Sequence, residues 1–156
     1  KNHIVIEANP KLIKYLEYNK KINSCSFSIK NVLLTSNKEN NVFYSYDKLV
    51  AGSAHRLDDR ESNKTKHIIN TISLKELKDQ INYNFDLLVM DIEGGELDFL
   101  LEFDISNFKY VSVELHENLM YPGFNRKCIE ELSKKGFVII NNFGNSFLLK
   151  NKSLLV

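Results

Sequence analysis

The sequence has no tryptophan, and its 156 residues include only two prolines and six glycines. Because long flexible linkers are rich in proline or glycine, we expect one domain over residues 1–156, long enough to bury a real core. An excess of charge of one sign is missing as well. The formal net charge of +1 offers no case for electrostatic binding to nucleic acid.

Cysteine and long apolar runs are equally scarce. Cys25 and Cys128 lie far apart and match no metal-ligand spacing, so we interpret them as two buried thiols in a reducing compartment and expect a cytoplasmic protein. No apolar run approaches the length of a membrane span, and we expect no membrane contact. The first residues do not resemble a signal peptide and include no initiator methionine, so we expect an N-terminus that is cut, processed or incomplete.

An apolar run at Leu87–Met90 leads directly into three carboxylates around a glycine pair: Asp91, Glu93 and Glu96. The run is short and unbroken, which predicts a strand buried on both faces, as in a parallel sheet. Leucines at helical spacing follow, so the carboxylates lie where a strand ends and a helix begins. Ligands bind at that edge of open α/β sheets. Alternatively, Glu93 and Glu96 merely cap the helix, but capping does not account for Asp91.

The same order of strand, acid and helix occurs near the start of the chain. Ile4–Ile6 predicts a short strand that ends at Glu7, and Asn9 and Pro10 are a favoured N-cap and a favoured first helical residue. A carboxylate at such a strand tip can hold the two vicinal hydroxyls of a ribose. An ordinary surface glutamate is an equal alternative.

Further short elements are predicted between these two strands. Residues 27–34 and 42–46 alternate or cluster apolar side chains as strands do, and Ser73 with Glu76 forms a capping-box pattern before a short helix. The polar segment 47–66 predicts a loop that becomes ordered over the crevice on binding. A solvated surface excursion is the alternative.

The C-terminal part continues the alternation. Residues 110–115 predict a strand, and we expect Glu114 and His116 to face the same crevice as Asp91. Asn125 is predicted to cap the next helix, and Gly136 is a natural stop after it.

Two apolar segments close the chain, at residues 137–140 and 146–149. The connection between them is short enough only for an antiparallel hairpin. Strands that alternate with helices indicate an α/β fold with a mostly parallel sheet and helices on both faces. The hairpin adds an antiparallel edge.

Three segments taken together carry a resemblance to a known family: IVIEANP at residues 4–10, DIEGGE at 91–96 and VSVE at 111–114. They resemble the FkbM family of S-adenosylmethionine-dependent methyltransferases, which shows a strand ending in Glu-x-Asn-Pro, then Asp-x-Glu-Gly-x-Glu, then a strand ending in an acid. ISLKEL at 72–77 resembles the family's Thr-Leu-Asp-x-Leu stretch, with Ser for Thr and Lys where Asp is usual. The resemblance covers most of the chain.

The resemblance implies a Rossmann-like, seven-stranded methyltransferase fold whose last strand is antiparallel. It implies S-adenosylmethionine as the cofactor, with Glu7 on its ribose hydroxyls and Asn9 and Asp91 as further cofactor contacts. The family's first strand and Gly-rich loop, which should precede Glu7, are absent from these residues. We therefore expect a methyltransferase-like domain that lacks this part.

The resemblance also implies O-methylation of a hydroxyl on a sugar, glycan or other small metabolite. Such a transfer requires an aligned acceptor and a group that takes its proton. Asp91 is our first candidate for that group, with Glu93 and Glu114 beside it. His116 is the other candidate base, because its ordinary pKa lies near working pH, and a partly exposed loop histidine is the alternative. This assignment includes no metal.

Two rival functions stay open. Asp91, Glu93, Glu114 and His116 could hold a divalent cation such as Mg²⁺, Ca²⁺ or Mn²⁺, as in a metal-dependent phosphotransfer or hydrolase domain. The chain could also be a non-catalytic, methyltransferase-like binding module. The strand order and the Glu7 motif favour the methyltransferase, and nothing in the sequence indicates an oligomeric state.

Overall fold

The computed structural model describes residues 2–37, 39, 41–46, 52–53, 64–81 and 84–154. The chain divides into two compact units, Lys1–Leu77 and Lys78–Val156, and each is described by itself. The single domain over residues 1–156 stays a prediction. The elements follow in this order: β1 (Ile4–Ile6), α1 (Pro10–Ile22), β2 (Ser28–Lys30), β3 (Leu33–Leu34), β4 (Val42–Tyr46), β5 (Gly52–Ser53), β6 (Lys64–Ile68), β7 (Thr71–Ile72), α2 (Leu74–Asp79), β8 (Leu87–Met90), α3 (Glu96–Glu102), β9 (Tyr110–Glu114), α4 (Phe124–Lys134), β10 (Phe137–Phe143), β11 (Ser146–Asn151) and a 3₁₀ turn (Lys152–Leu154).

The described strands of the first unit form three small sheets. β1 pairs with β2 and β3 with β7, both in parallel, and β4 lies between β5 and β6 in an antiparallel sheet. The predicted single strand over residues 27–34 is therefore wrong. It breaks at Asn31, whose side-chain amide donates hydrogen bonds to the carbonyl oxygens of Glu7 and Ala8. β2 and β3 thus belong to different sheets.

Both predicted helix starts in this unit are confirmed. The Asn9 side chain accepts a hydrogen bond from the Lys11 N–H at 3.0 Å, and Pro10 is the first residue of α1. At α2, the Glu76 carboxylate accepts from the Ser73 N–H, and the Ser73 hydroxyl accepts from the Glu76 N–H. These bonds satisfy backbone donors that have no partner inside the helix.

The polar segment 47–66 is only partly described. Its described parts are sheet rather than loop, because Gly52–Ser53 forms β5 and residues 64–66 begin β6. The predicted loop is wrong for those residues. Residues 47–51 and 54–63 lie outside the described part of the chain.

The second unit is built on a four-stranded sheet in the order β10-β11-β9-β8. The predicted hairpin is confirmed, and its strands are longer than expected, since only Gly144 and Asn145 separate β10 from β11. Gly144 has a φ of +58°, a conformation that glycine adopts without steric cost in tight hairpin turns. β11 runs antiparallel to β9, and β9 runs parallel to β8.

The described chain is a mixture of helices and strands, as predicted, but the single, mostly parallel sheet is wrong. Its parallel pairs are divided among three sheets, and the four-stranded sheet contains one parallel pair. The physical reason is strand length. Strands of two or three residues, such as β1, β2, β3 and β7, offer too few hydrogen bonds to build a wide ladder. The helices on both faces stay a prediction.

Strand β8 is buried on one face only, which corrects the prediction of burial on both faces. Leu87 is 49% and Val89 70% exposed, whereas Met90 is buried. Leu88 and Met90 pair with Val111 and Val113, which are buried residues of β9. Because side chains alternate along a strand, Leu87 and Val89 lie on the opposite face of β8 from Leu88 and Met90, and that face is open.

The core of the second unit lies between this sheet and helices α3 and α4. Its fully buried large side chains come from both helices, from the strands and from the connections between them: Leu100, Ile105, Val111, Val113, Leu115, Phe124, Cys128, Leu132, Phe137 and Leu149. Burial of each such side chain contributes about 1.5–3 kcal/mol. The unit therefore has a core large enough to hold the ends of β8 and β9 in place.

Helix α4 starts differently from the prediction. Its N-cap is Gly123, with a φ of +87°, and Asn125 lies inside the first turn. The carboxylate of Glu117, from the preceding loop, accepts the Asn125 N–H at 3.1 Å and takes over the capping role. The predicted stop is confirmed, since Gly136 follows the helix with a φ of +88°.

The two cysteines have different surroundings. Cys25 is exposed, so the prediction of two buried thiols is wrong for it. It follows the end of α1, where the chain turns at the surface. Cys128 is buried on α4, and burial raises the pKa of its thiol to about 12. Among the described residues, no helix is long and apolar enough to cross a membrane.

Candidate active site around His116

The ring of His116 lies between one buried carboxylate and two more exposed ones. Its Nδ1–H donates to Glu96 Oε1 at 2.6 Å. Its Nε2 lies 3.5 Å from Asp91 Oδ1 and 3.8 Å from Glu93 Oε2. We call Asp91, Glu93, Glu96 and His116 the His116 cluster. The adjacent parallel strands β8 and β9 assemble it, because Asp91 follows the last residue of β8 and His116 lies two positions beyond β9.

Glu96 is the first residue of α3, and its side chain is fully buried. Besides the His116 ring, Oε1 accepts the N–H of Gly94 at 3.2 Å. Its second oxygen, Oε2, has no hydrogen-bond partner within the described part of the chain. A buried carboxylate costs several kcal/mol unless it is paired, and its position at a helix N-terminus offsets part of that cost. The fold therefore holds Glu96 in place to orient His116.

A tight turn between β8 and α3 places the carboxylates of the cluster. Glu93 has a φ of +52° and Gly94 one of +96°, both in the left-handed region. For a residue with a side chain, that conformation costs roughly 1–2 kcal/mol. Gly94 also leaves room for Met120, because a Cβ there would lie 2.7 Å from Met120 Sδ and the methionine would have to shift. After this turn, the carboxylate of Glu93 has an oxygen within 4.8 Å of one from Asp91.

The surroundings raise the pKa of two members of the cluster, His116 and Glu93. Burial lowers the pKa of His116, but the hydrogen bond and charge of Glu96, with the charges of Glu93 and Asp91, outweigh it and raise that pKa above its ordinary value of 6.5. Burial raises the pKa of Glu93, His116 lowers it, and Asp91, Glu96 and Glu114 raise it further. His116 and Glu93 therefore hold their protons more tightly than the same groups do in water.

Three of the four predicted catalytic residues meet in this cluster. The side chain of Asp91 is 58% exposed and that of His116 is 12% exposed, so the cluster is open on the Asp91 side. Glu114 ends β9 as an exposed residue and acts on Glu93 only through its charge. The ligand atoms of Asp91, Glu93 and His116 all lie within 4.8 Å of one another.

The sequence reasoning missed the role of Glu96. It was counted among the three carboxylates at the strand end, with helix capping as the alternative, whereas the structure pairs it with His116, twenty residues further along the chain. The available signal was the third acid of the DIEGGE segment, since a buried strand followed by a turn leaves the first helical residue close to the sheet. No spacing in the sequence indicates that His116 is its partner.

In the first unit, Glu7 lies directly after β1, and the Asn9 N–H donates to its Oε1 at 2.6 Å. We call Glu7 and Asn9 the Glu7 tip. Asn9 is buried, and its side-chain oxygen is used to cap α1. Burial raises the pKa of the Glu7 carboxyl, and the Asn9 hydrogen bond partly offsets this. The carboxylate is thus fixed in position and partly withdrawn from water.

A mixed α/β chain with a histidine–carboxylate cluster at the ends of two parallel strands is typical of an enzyme that handles a proton. Residues 1–139 match the model of the Methyltransferase FkbM domain. Because the match covers most of the chain, the protein belongs to the FkbM family of methyltransferases, and the predicted resemblance is confirmed. A search of curated proteins found no match, and a search of solved structures found none either. The family supports methyl transfer as the reaction class and implies the use of S-adenosylmethionine in general.

Proposed function

We propose that the protein transfers a methyl group from S-adenosylmethionine to a hydroxyl of a small molecule or glycan. Family membership supports methyl transfer. The observation that carries the oxygen acceptor is the His116 ring, oriented by buried Glu96 and facing Asp91 and Glu93. A hydroxyl loses a proton when it is methylated, and this arrangement can take up that proton.

On the acceptor side, Asp91 is the group proposed to contact the hydroxyl, because it is the most exposed member of the His116 cluster. His116 Nε2, at 3.5 Å from Asp91 Oδ1, is placed to share the proton. Glu93, with its raised pKa, and Glu114 keep the local charge negative and favour proton uptake. The hydrogen bond from Nδ1 to Glu96 fixes the ring orientation, as in other histidine–carboxylate pairs.

On the cofactor side, Glu7 is proposed to accept hydrogen bonds from the ribose hydroxyls. A carboxylate has about four lone-pair sites, and the Asn9 N–H occupies one of them, so capacity for a diol remains. The residues present therefore fit a ribose. S-adenosylmethionine, when bound, supplies a methyl group on a positively charged sulfur. The Asn9 N–H positions the Glu7 carboxylate. Direct contacts of Asn9 and Asp91 with the cofactor are also proposed.

The acceptor class is a sugar hydroxyl or the hydroxyl of another secondary metabolite, as the family resemblance implies. Nucleic acid and membranes are not proposed as partners, given the net charge of +1 and the absence of long apolar runs in the sequence. A cytoplasmic location is proposed from the two widely spaced cysteines, which match no disulfide framework.

Residues 1–156, which do not include the family's Gly-rich loop, should bind the cofactor poorly by themselves. The test is therefore calorimetric titration of the full-length protein with S-adenosylmethionine, followed by transfer of its isotope-labelled methyl group to a panel of hydroxyl acceptors. We expect cofactor binding and labelled product. Asp91→Asn should bind the cofactor with nearly unchanged affinity and transfer no methyl group. Absence of cofactor binding would overturn the proposal in favour of a binding module. Phosphate release from phosphate esters, in place of methyl transfer, would favour the hydrolase.

A further inference from the structure

Three potential ligand atoms in the His116 cluster face one another without closing into hydrogen bonds. Nε2 of His116 lies 3.5 Å from Asp91 Oδ1 and 3.8 Å from Glu93 Oε2, and all three atoms lie within 4.8 Å of one another. Hydrogen bonds from nitrogen to oxygen are typically ~2.7–3.2 Å long. Neighbouring ligands of one metal ion, each about 2.0–2.2 Å from it, lie roughly 3–3.5 Å apart. The distance between His116 and Asp91 matches this spacing, whereas the distance from Nε2 to Glu93 Oε2 is wider, so the side chains would have to draw together around an ion.

A second observation comes from outside these three residues. Fully buried Glu96 accepts the Nδ1–H of His116 at 2.6 Å. Metal-binding histidines characteristically donate their second ring N–H to a carboxylate, which fixes the tautomer and leaves Nε2 as the ligand atom. The other oxygen of Glu96 has no hydrogen-bond partner among the described residues, so its charge is only partly compensated. A positive ion at the cluster would complete that compensation.

Backbone conformation and exposure also suit an ion. Glu93 keeps its carboxylate beside Nε2 in spite of a left-handed φ of +52°. With the ring in the tautomer that Glu96 selects, Nε2 carries a lone pair, as a metal ligand does, and lies beside the carboxylates of Asp91 and Glu93. The exposed carboxylate of Asp91 keeps this point accessible from solvent.

We propose that Asp91 Oδ1, Glu93 Oε2 and His116 Nε2 bind one divalent cation, with Glu96 as the residue that orients the histidine. One imidazole and two carboxylates suit a first-row transition ion such as Mn²⁺ better than Ca²⁺, which takes six to eight oxygen ligands. Three protein ligands leave coordination positions open. A bound ion would take the place of the proton that His116 Nε2 shares with Asp91 in the metal-free protein. That the open positions receive the acceptor hydroxyl rests on the proposed methyl transfer, whereas the ion site itself does not.

The test is calorimetric titration of the full chain, freed of metals by a chelator and dialysis, with Mn²⁺ alone. We expect one ion per chain. Glu96→Gln should weaken binding by about 10–100-fold, as is usual for residues that support a metal ligand. Asp91→Asn and His116→Gln should weaken it at least as much. Glu130→Gln, which removes an exposed acid from α4, is the charge-matched control and should bind like the wild type.

A second readout does not depend on affinity alone. Paramagnetic Mn²⁺ should broaden the ring signals of His116 in nuclear magnetic resonance spectra, and Asp91→Asn should remove that broadening. The thermal unfolding midpoint of each variant shows whether it is folded. Asp91→Asn, at an exposed side chain, keeps the test decisive if the His116 variant does not fold.

Two results would overturn the ion site: no Mn²⁺ binding by the wild type, or equal binding by Asp91→Asn and Glu130→Gln. The outcome is separable from that of the proposed function. If Mn²⁺ does not bind and labelled methyl transfer survives the chelator, the ion site fails and methyl transfer stands. If Mn²⁺ binds at the expected residues and S-adenosylmethionine does not bind, the ion site stands and methyl transfer fails.

Discussion

The Glu7 tip and the His116 cluster both follow the end of a strand, but they are built differently. Glu7 is held by a backbone N–H two residues away, within a single strand-to-helix turn. The His116 cluster combines the ends of two strands, a left-handed turn and a buried helix residue. The first is a local structure and the second depends on tertiary packing. Substitutions at the cluster should therefore affect more than one property of the protein.

The largest effect is expected for His116→Gln. A positioned proton acceptor typically contributes ~10²–10⁴-fold to the rate, and glutamine cannot take up the proton. Methyl transfer under single-turnover conditions should fall by about that factor, with cofactor affinity unchanged. A rate within about threefold of the wild type would return His116 to the role of a loop residue.

Glu7→Gln tests the local structure. Loss of a charged acceptor typically costs ~1.5–3 kcal/mol, so affinity for S-adenosylmethionine should fall by roughly tenfold or more in titration calorimetry. Burial raises the pKa of Glu7, so its contribution to stability is present at low pH and is lost as pH rises through the folded-state pKa. The neutral glutamine should therefore leave the protein at least as stable at neutral pH. Lower stability together with lower affinity would contradict a role confined to binding.

Gly94→Ala tests the turn on which the His116 cluster depends. The positive φ and the contact with Met120 should together lower the free energy of unfolding by about 1–3 kcal/mol, measured by urea denaturation. Gly144→Ala is the matched control, since it shares a positive φ but has open space around the added Cβ. It should lose only about 1 kcal/mol. If both variants lose the same free energy of unfolding, Met120 moves aside and its close contact with residue 94 is unimportant.

The smallest effect is expected for Glu96→Gln in metal-free protein. The carboxylate raises the pKa of His116 through its hydrogen bond and its charge, so the variant should titrate at lower pH by nuclear magnetic resonance. In the wild type, the stability contributed by protonated His116 is fully present below a pH of about 6.5, the ordinary histidine pKa. It is lost as the pH rises through the folded-state pKa of His116. This dependence should weaken in the variant. An unchanged His116 titration would mean that Glu96 supports the ring only by its shape.

The same contrast explains which features the sequence could predict. The Asn9 cap, the Ser73–Glu76 capping box and the C-terminal hairpin depend on residues a few positions apart, and all three are confirmed. The break at Asn31 and the cap at Gly123 were missed, because each depends on a hydrogen bond to a residue more than a few positions away along the chain. The Asn31 amide donates to the Glu7 carbonyl oxygen, and the Glu117 carboxylate accepts the Asn125 N–H. Strand pairing and burial depend on contacts distant in sequence, so neither the small sheets nor the open face of β8 could be predicted from composition.

The candidate site shows the same limit. The motif alone identified Asp91 and Glu93, and the strand position identified His116. The buried partner of His116 could not be predicted, because its burial depends on how α3 packs and not on its residue type. Glu114 was expected to join the cluster, yet only its charge reaches it, since the side chain ends β9 on an exposed position.

The position of β11 has a consequence for biosynthesis. β11 lies between β9 and β10, so the last of the described strands completes the middle of the four-stranded sheet. The family match ends at residue 139, before β11 begins. While the chain is still being synthesised, β9 can pair with β8 but exposes its other edge until Ser146–Asn151 has left the ribosome. A nascent chain stalled at residue 145 would therefore carry an open, aggregation-prone strand edge next to the residues that later form the His116 cluster.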